Sequence, residues 1–264
     1  MKRCLRYYLL LFAILPALLL PGCASVSDTL RAAEPAKKEA IHPQTEGVSL
    51  HEIAPVVPAS RLDTEWWAER LHEKNDLAKK DKYQLIFIGD SITHGWEGDG
   101  KDVWTKYYAP RKALNLGFGG DRTQHVLWRL QNGNFVGQEP KLCVLMIGTN
   151  NYRADPSSEI ADGIGAIVDE IRKRSPTSKV LILAIFPRLK EPGPVREKLA
   201  DASQRASQWA DGEHVFYLDI GDAFLEADGT LSEDIMPDFL HPNAKGYRIW
   251  AEAIEPALRR LLDE

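Results

Sequence analysis

The chain of 264 residues is 44% hydrophobic and 27% charged with a formal net charge of −5, a balance that fits one α/β domain with appendages and excludes collagen, general disorder and a polytopic membrane protein. No basic excess is available to displace counterions from a phosphate backbone, so nucleic acid is not an expected partner. Three cysteines cannot build a disulfide scaffold or a paired zinc site, and none of the seven histidines falls in a His-Glu-x-x-His arrangement, so neither a metal nor a cofactor is needed.

In chain order, Lys2, Arg3 and Arg6 precede an apolar run from Leu9 to Gly22. That run is shorter than the roughly 20 helical residues of a bilayer span and suits the core of a signal peptide. It ends at Leu20-Pro21-Gly22-Cys23, which resembles a bacterial lipoprotein cleavage site. Residues 1–22 are therefore expected to direct export, and Cys23 to become a lipidated N-terminus that tethers the protein to a membrane of the bacterial cell envelope. Several acyl chains would give stable anchoring, whereas one alone is marginal. Proline at the second position departs from the usual pattern, which keeps ordinary secretion and an uncleaved anchor open. Residues 24–59 carry Pro35, Pro43, Pro55 and Pro58 with Ala/Lys/Glu clusters and no sustained periodicity, the composition of a flexible linker. The folded domain is placed at residues 60–264.

Within it, a helical pattern from Thr64 to Lys80 leads into Gln84–Ile88, a short apolar run of the kind that forms a buried strand. Further strand-like runs occupy Ala113–Leu116, Leu142–Ile147, Val180–Phe186 and Val215–Leu218. Helical segments fall between them near Thr123–Leu130, Ser158–Arg174 and Val195–Trp209. The amphipathic stretch Ala244–Leu262 closes the chain, with Tyr247, Ile249, Trp250, Ile254, Leu258 and Leu261 broadly on one side. Such alternation predicts a parallel sheet covered by helices on both faces.

Ligands of open α/β sheets bind beyond the carboxyl ends of the strands. Gly89-Asp90-Ser91 follows the first strand, Gly117-Phe118-Gly119-Gly120-Asp121 the second, and Gly148-Thr149-Asn150-Asn151 the third; Asp238-Phe239-Leu240-His241 comes after the fifth. Each alone reads as a turn or a helix start. Together, in this order, they resemble the SGNH (GDSL-type) hydrolases. The run Asn115–Gly133, with Gly148–Asn151, Phe186-Pro187-Arg188 and Asp238–His241, is similar to the branch of the platelet-activating-factor acetylhydrolase catalytic subunits. The likeness spans about residues 84 to 260. It implies a flavodoxin-like three-layer sandwich, with a five-stranded parallel sheet of order 2-1-3-4-5, and an ester hydrolase whose subunits pair as a homodimer. The export signal, the linker and the Trp66-Trp67 helix are expected to be additions to that pattern.

A serine hydroxyl is a weak nucleophile that needs a base within hydrogen-bond reach, and the base needs an orienting group. Ser91, His241 and Asp238 are the candidates for these three roles, Asp238 lying three residues before His241, where it could reach the other ring nitrogen. The resemblance implies an oxyanion hole from the Ser91 amide, the Gly120 amide and the Asn150 side chain. Asp90 reads as a turn former, Asn151 as a structural neighbour of Asn150, Leu127 and Trp128 as core, and Cys143 as a buried apolar residue. Arg122 is expected either to bind substrate or to pair with Asp121 or another carboxylate. His94 and Trp96 are candidates for the wall of the acyl or leaving-group pocket. The expected activity is hydrolysis of small acyl esters, acetyl first, on carbohydrate or lipid-like alcohols. The alternative is a non-catalytic lipoprotein that binds glycan or lipid in the same cleft.

Overall fold

The computed structural model describes residues 54–264; the expected signal peptide, Cys23 and most of the linker lie outside the described residues. Five short apolar runs form the strands β1 (Leu85–Gly89), β2 (Ala113–Gly117), β3 (Leu142–Met146), β4 (Lys179–Leu183) and β5 (Val215–Leu218). They pair in parallel, as the alternation predicts, in the order β2-β1-β3-β4-β5 that the family resemblance implies. The chain steps from β1 outward to β2 and then back across to β3, which places the topological switch point between β1 and β3.

Alternation along each strand separates two cores. Leu85 and Phe87 of β1 join one cluster, and Ile86 and Ile88 join the other. The first cluster is covered by α3 (Lys101–Tyr107) and α7 (Ala244–Leu262). Its centre is aromatic: Trp96 lies 4.8 Å from Trp250 and 5.1 Å from Tyr108, and Phe87 lies 4.6 Å from Tyr108. The second lies under α4 (Thr123–Arg129), α5 (Ser157–Arg174) and α6 (Pro194–Ala206). A third, smaller cluster forms where α1 (Glu65–Lys80) sets Trp67 and Leu71 against Phe118, with Trp128 packed alongside. Residues at the end of the expected linker already lie on the domain: the Thr123 hydroxyl donates to the Pro55 carbonyl at 3.2 Å, and the Ala59 N–H donates to the Gln124 carbonyl at 3.1 Å.

β1 ends at Gly89, where a Cβ would collide with the Met146 carbonyl and the Thr93 hydroxyl. The chain then turns directly into the four-residue helix α2 (Ser91–His94). Asp90 caps it, its Oδ1 accepting the Ile92 N–H at 3.0 Å, so its role is structural, as a residue in a turn. The side chain is fully buried and Oδ2 has no partner among the described residues. Desolvation, reinforced by the Asp121 charge, pushes the Asp90 carboxyl up to about 7, against the pull of the Ile92 amide and Arg188.

This buried acid makes stability depend on pH. Between the ordinary carboxylate value of 3.8 and about 7 the unfolded chain has lost the Asp90 proton while the folded chain keeps it. The contribution of this group to stability is full below that window, falls as the pH rises through it, and is gone above it. Asp90→Asn keeps the acceptor for Ile92 and cannot ionise. Thermal melts are expected to show it gaining on the wild type from about pH 4 to about pH 7 and holding a constant lead beyond; a lead that does not change with pH would show that Asp90 ionises without penalty.

Candidate active site

Ser91 opens α2 at the end of β1, and His241 lies just before α7, 150 residues further along the chain. The fold brings the Ser91 Oγ to 2.8 Å from the His241 Nε2 and the His241 Nδ1 to 2.6 Å from the Asp238 Oδ2. A carboxylate only accepts, so Nδ1 carries the proton and Nε2 offers its lone pair to the serine hydroxyl. Asp238 also organises its own loop, its Oδ1 accepting the N–H of Leu240 at 3.1 Å and of His241 at 2.7 Å. Burial works to raise the Asp238 carboxyl, yet the backbone and side-chain hydrogen bonds from His241 prevail and hold it below the usual carboxylate range. Asp238 is therefore ionised when His241 is neutral.

The loop reaches this geometry through Phe239, a left-handed non-glycine residue at φ 56°. Such a conformation costs on the order of 1–3 kcal/mol and persists only when the surroundings fix it. Here the Leu189 N–H donates to the Phe239 carbonyl at 2.8 Å. Arg196 in turn gathers the loop after β4, donating to the carbonyls of Arg188 at 2.9 Å and Lys190 at 2.7 Å. Arg188 donates to the Thr149 carbonyl at 3.1 Å, which ties the same loop to the end of β3.

Gly120 and Asn150 come from the ends of β2 and β3. The Asn150 Nδ2 donates one of its two hydrogens to the Asp121 carbonyl at 2.9 Å, which leaves the other free to meet a ligand. The Ser91 amide sits in the first turn of α2, where a helix has no acceptor of its own to offer. Asn151 is fully buried, donates to Asp155 at 2.7 Å and accepts the Thr123 N–H at 3.1 Å. It is the structural neighbour of Asn150 that the sequence suggested.

Asp121, the residue after Gly120, is fully buried. Its carboxylate accepts from the Arg129 Nε at 2.7 Å, the Trp67 Nε1 at 2.8 Å and the Arg61 Nη1 at 3.1 Å. Arg122 is thus not its partner; the Arg122 N–H instead donates to the His125 Nδ1 at 3.0 Å. That contact needs a neutral ring, and burial, helped by Arg61, Arg122 and Arg129 against Asp121, pushes His125 down to about 4.

The expected pocket wall needs one correction. Trp96 is fully buried in the aromatic core under α7, because the chain turns inward at Gly95, and it cannot line a cleft. His94 remains partly exposed; burial holds its imidazole below the ordinary value, with Arg70 and Lys74 adding to the effect. It stacks loosely on Trp66, ring centroids 6.4 Å apart. Trp66 is 41% exposed and reaches within 3.5 Å of the Cβ position at Gly119, so an aromatic ring stands beside the glycine loop. Cys143 is buried, and burial drives its thiol upward, which leaves it no thiolate at neutral pH. Among the described residues no group of histidine, cysteine and acidic side chains has the arrangement of a metal site.

The profile of the GDSL-like lipase/acylhydrolase family matches residues 87–249. The human platelet-activating factor acetylhydrolase IB subunit alpha1 is 37% identical over 205 residues, covering 76% of this chain and 85% of that protein. The rat alpha2 subunit is 36% identical over 204 residues, covering 76% of this chain and 87% of that protein. A match of that extent cannot fit between Gln84 and the C-terminus, so α1 belongs to the shared domain and is not an addition to it. Among solved structures, a GDSL-like lipase from Bacteroides thetaiotaomicron superposes with a TM-score of 0.59 at 18% identity, over 73% of this chain and 97% of its own. An acetylxylan esterase from Geobacillus stearothermophilus gives 0.54 at 20% identity, over 69% and 94%. These two share the three-layer fold with its parallel sheet. The chain belongs to the GDSL-like lipase/acylhydrolase family and is a hydrolase acting on ester bonds.

Proposed function

We propose that this protein is a serine esterase that releases small acyl groups, acetyl foremost, from carbohydrate alcohols at the bacterial cell envelope. The reading is carried by the Ser91–His241–Asp238 relay, with its hydrogen bonds of 2.8 Å and 2.6 Å. His241 removes the Ser91 proton as Oγ attacks the ester carbonyl, and Asp238 stabilises the imidazolium that forms. The oxyanion is met by the Ser91 and Gly120 amides and the free hydrogen of the Asn150 amide, preorganised donors of the kind whose single loss costs about 2.7–4 kcal/mol. His241 then protonates the leaving alcohol. Water, activated by the same imidazole, hydrolyses the acyl-enzyme and returns Ser91 to its starting state.

Acetyl is favoured by the curated relatives, which are named acetylhydrolases. A carbohydrate alcohol is favoured by the expected envelope location and by Trp66, which is 41% exposed beside the glycine loop. A sugar presents an apolar C–H face that an exposed aromatic side chain can cover. The second reading, a phospholipid-like acetyl ester, draws on the same relatives. Envelope location rests on the signal-peptide pattern and on Cys23, whose acylation would hold the domain on a linker that reaches the fold at Pro55. Pairing into a homodimer is part of this proposal through the family likeness.

Hydrolysis of 4-nitrophenyl esters from acetyl to octanoyl by residues 24–264 should favour acetyl, and Ser91→Ala should lower kcat by on the order of 10⁶-fold. Equal inactivity of folded wild type and mutant would move the binding-protein reading to the front. Release of acetate from acetylated xylo-oligosaccharides, measured beside release from a lipid acetyl ester, should favour the sugar; the reverse preference would select the second reading. Because His241 acts as a base only when neutral, kcat/KM should fall as the pH is lowered into the acidic range. A flat profile down to about pH 4 would remove His241 from that role.

A further inference from the structure

Arg61 lies ahead of α1 and outside all four strand-end motifs. Its Nη1 donates to the Gly119 carbonyl at 2.8 Å and to the Asp121 Oδ1 at 3.1 Å. Phe118 to Asp121 form a tight turn: the Asp121 N–H donates to the Phe118 carbonyl at 3.2 Å, and Gly120 has φ 71°, the signature of a type II turn. Type II differs from type I by a flip of the central peptide plane, here the one that joins the Gly119 C=O to the Gly120 N–H. The peptide is planar and trans, so its C=O and N–H point in opposite directions. A cation that fixes the carbonyl on one side therefore fixes the amide on the other.

We propose that Arg61 is a positioning residue for the Gly120 amide, selecting the turn in which that N–H faces the reacting carbonyl. The inference rests on the reading of Gly120 as an oxyanion donor. The guanidinium is held for the task by Asp121 and by the chain before it, which is pinned to α4 through Pro55 and Ala59. It also packs over the turn, Nη1 lying 3.4 Å from the position a Gly120 Cβ would take. A charged donor on the carbonyl polarises the peptide and strengthens the N–H as a donor. The segment that joins the proposed membrane tether to the enzyme thus also sets part of its oxyanion hole.

The test is steady-state hydrolysis of 4-nitrophenyl acetate by wild type, Arg61→Ala and Arg61→Lys in the otherwise full mature chain, with Ser91→Ala as baseline. Removing a whole oxyanion donor costs about 10²–10³-fold in kcat; a donor left free to turn away should cost about 10–100-fold, with KM moving less than about twofold. Affinity for a boronic acid that forms a tetrahedral adduct on Ser91 should fall by the same factor as kcat. Arg61→Lys, which keeps a cation beside Asp121, should recover part of the loss, and guanidinium ion at non-denaturing concentration should partly restore Arg61→Ala. A raised KM at constant kcat would overturn the proposal in favour of substrate binding by Arg61. Unchanged kcat, KM and boronate affinity would overturn it altogether, as would an Arg61→Lys variant that folds and is no better than Arg61→Ala. Activity absent from the wild type, or undiminished in Ser91→Ala, would instead count against the esterase reading.

Discussion

The arrangement of the site depends on one buried ion pair, Asp121 with Arg129, both without solvent exposure and 2.7 Å apart. Burying two charges costs several kcal/mol per ion, and the pair is tolerable only when every remaining donor and acceptor is satisfied. Each guanidinium nitrogen of Arg129 has a partner: beyond Asp121 it donates to Asn134 at 2.7 Å, to the Leu116 carbonyl at 3.2 Å and to the Gly89 carbonyl at 3.3 Å, with Phe118 stacked 3.9 Å from the guanidinium. Two of those carbonyls stand at the carboxyl ends of β2 and β1. One side chain on α4 thereby ties the strand that leads to Ser91 to the strand that leads to Gly120. The Asp121 carbonyl accepts from Asn150, which brings in the end of β3 as well.

α1 completes this polar core from outside the sheet. Trp67 donates to Asp121, and the Arg70 Nε donates to the Gly117 carbonyl at 2.8 Å. Arg70 and Lys74 both reach Glu97, at 2.8 Å and 2.9 Å, in the chain that follows α2. The helix therefore buries an indole and two cationic stems against the site, and its contribution is placement of the glycine turn. His241 arrives by a separate route. Its loop depends on the left-handed Phe239 and on Leu189, and hence on Arg196 beyond β4. The relay is built where two independently braced loops meet, which is why residues far apart in sequence converge within hydrogen-bond distance.

Much of this was legible in the sequence. The strands are continuous apolar runs bounded by glycine or a polar residue, so their order of appearance and the parallel sheet followed from periodicity and alternation. The candidate site residues Ser91, Gly120, Asn150, Asp238 and His241 were legible because four short motifs, each unremarkable alone, fall in order at strand ends and together resemble one hydrolase family. What stayed hidden was the bracing. Arg129 and Trp67 sit in helical patterns where a long side chain looks like surface or core. Nothing local distinguishes Arg61, since its function comes from a carbonyl 58 residues away. Trp96 misled for the opposite reason. It follows the nucleophile closely in sequence, but α2 is a single turn, and the chain dives into the aromatic core immediately after it. The short helices α2 and α3 left no amphipathic stripe long enough to read.

A double-mutant cycle on Asp121 and Arg129, read as the free energy of urea unfolding, tests this account most directly. Asp121→Asn or Arg129→Met alone strands a buried partner and is predicted to cost about 3–5 kcal/mol, while the pair of substitutions costs much less than the sum of the two. Single effects that simply add, or that stay within about 0.5 kcal/mol of wild type, as surface substitutions do, would contradict the claim that this ion pair holds the strand ends, and with them the site, in place.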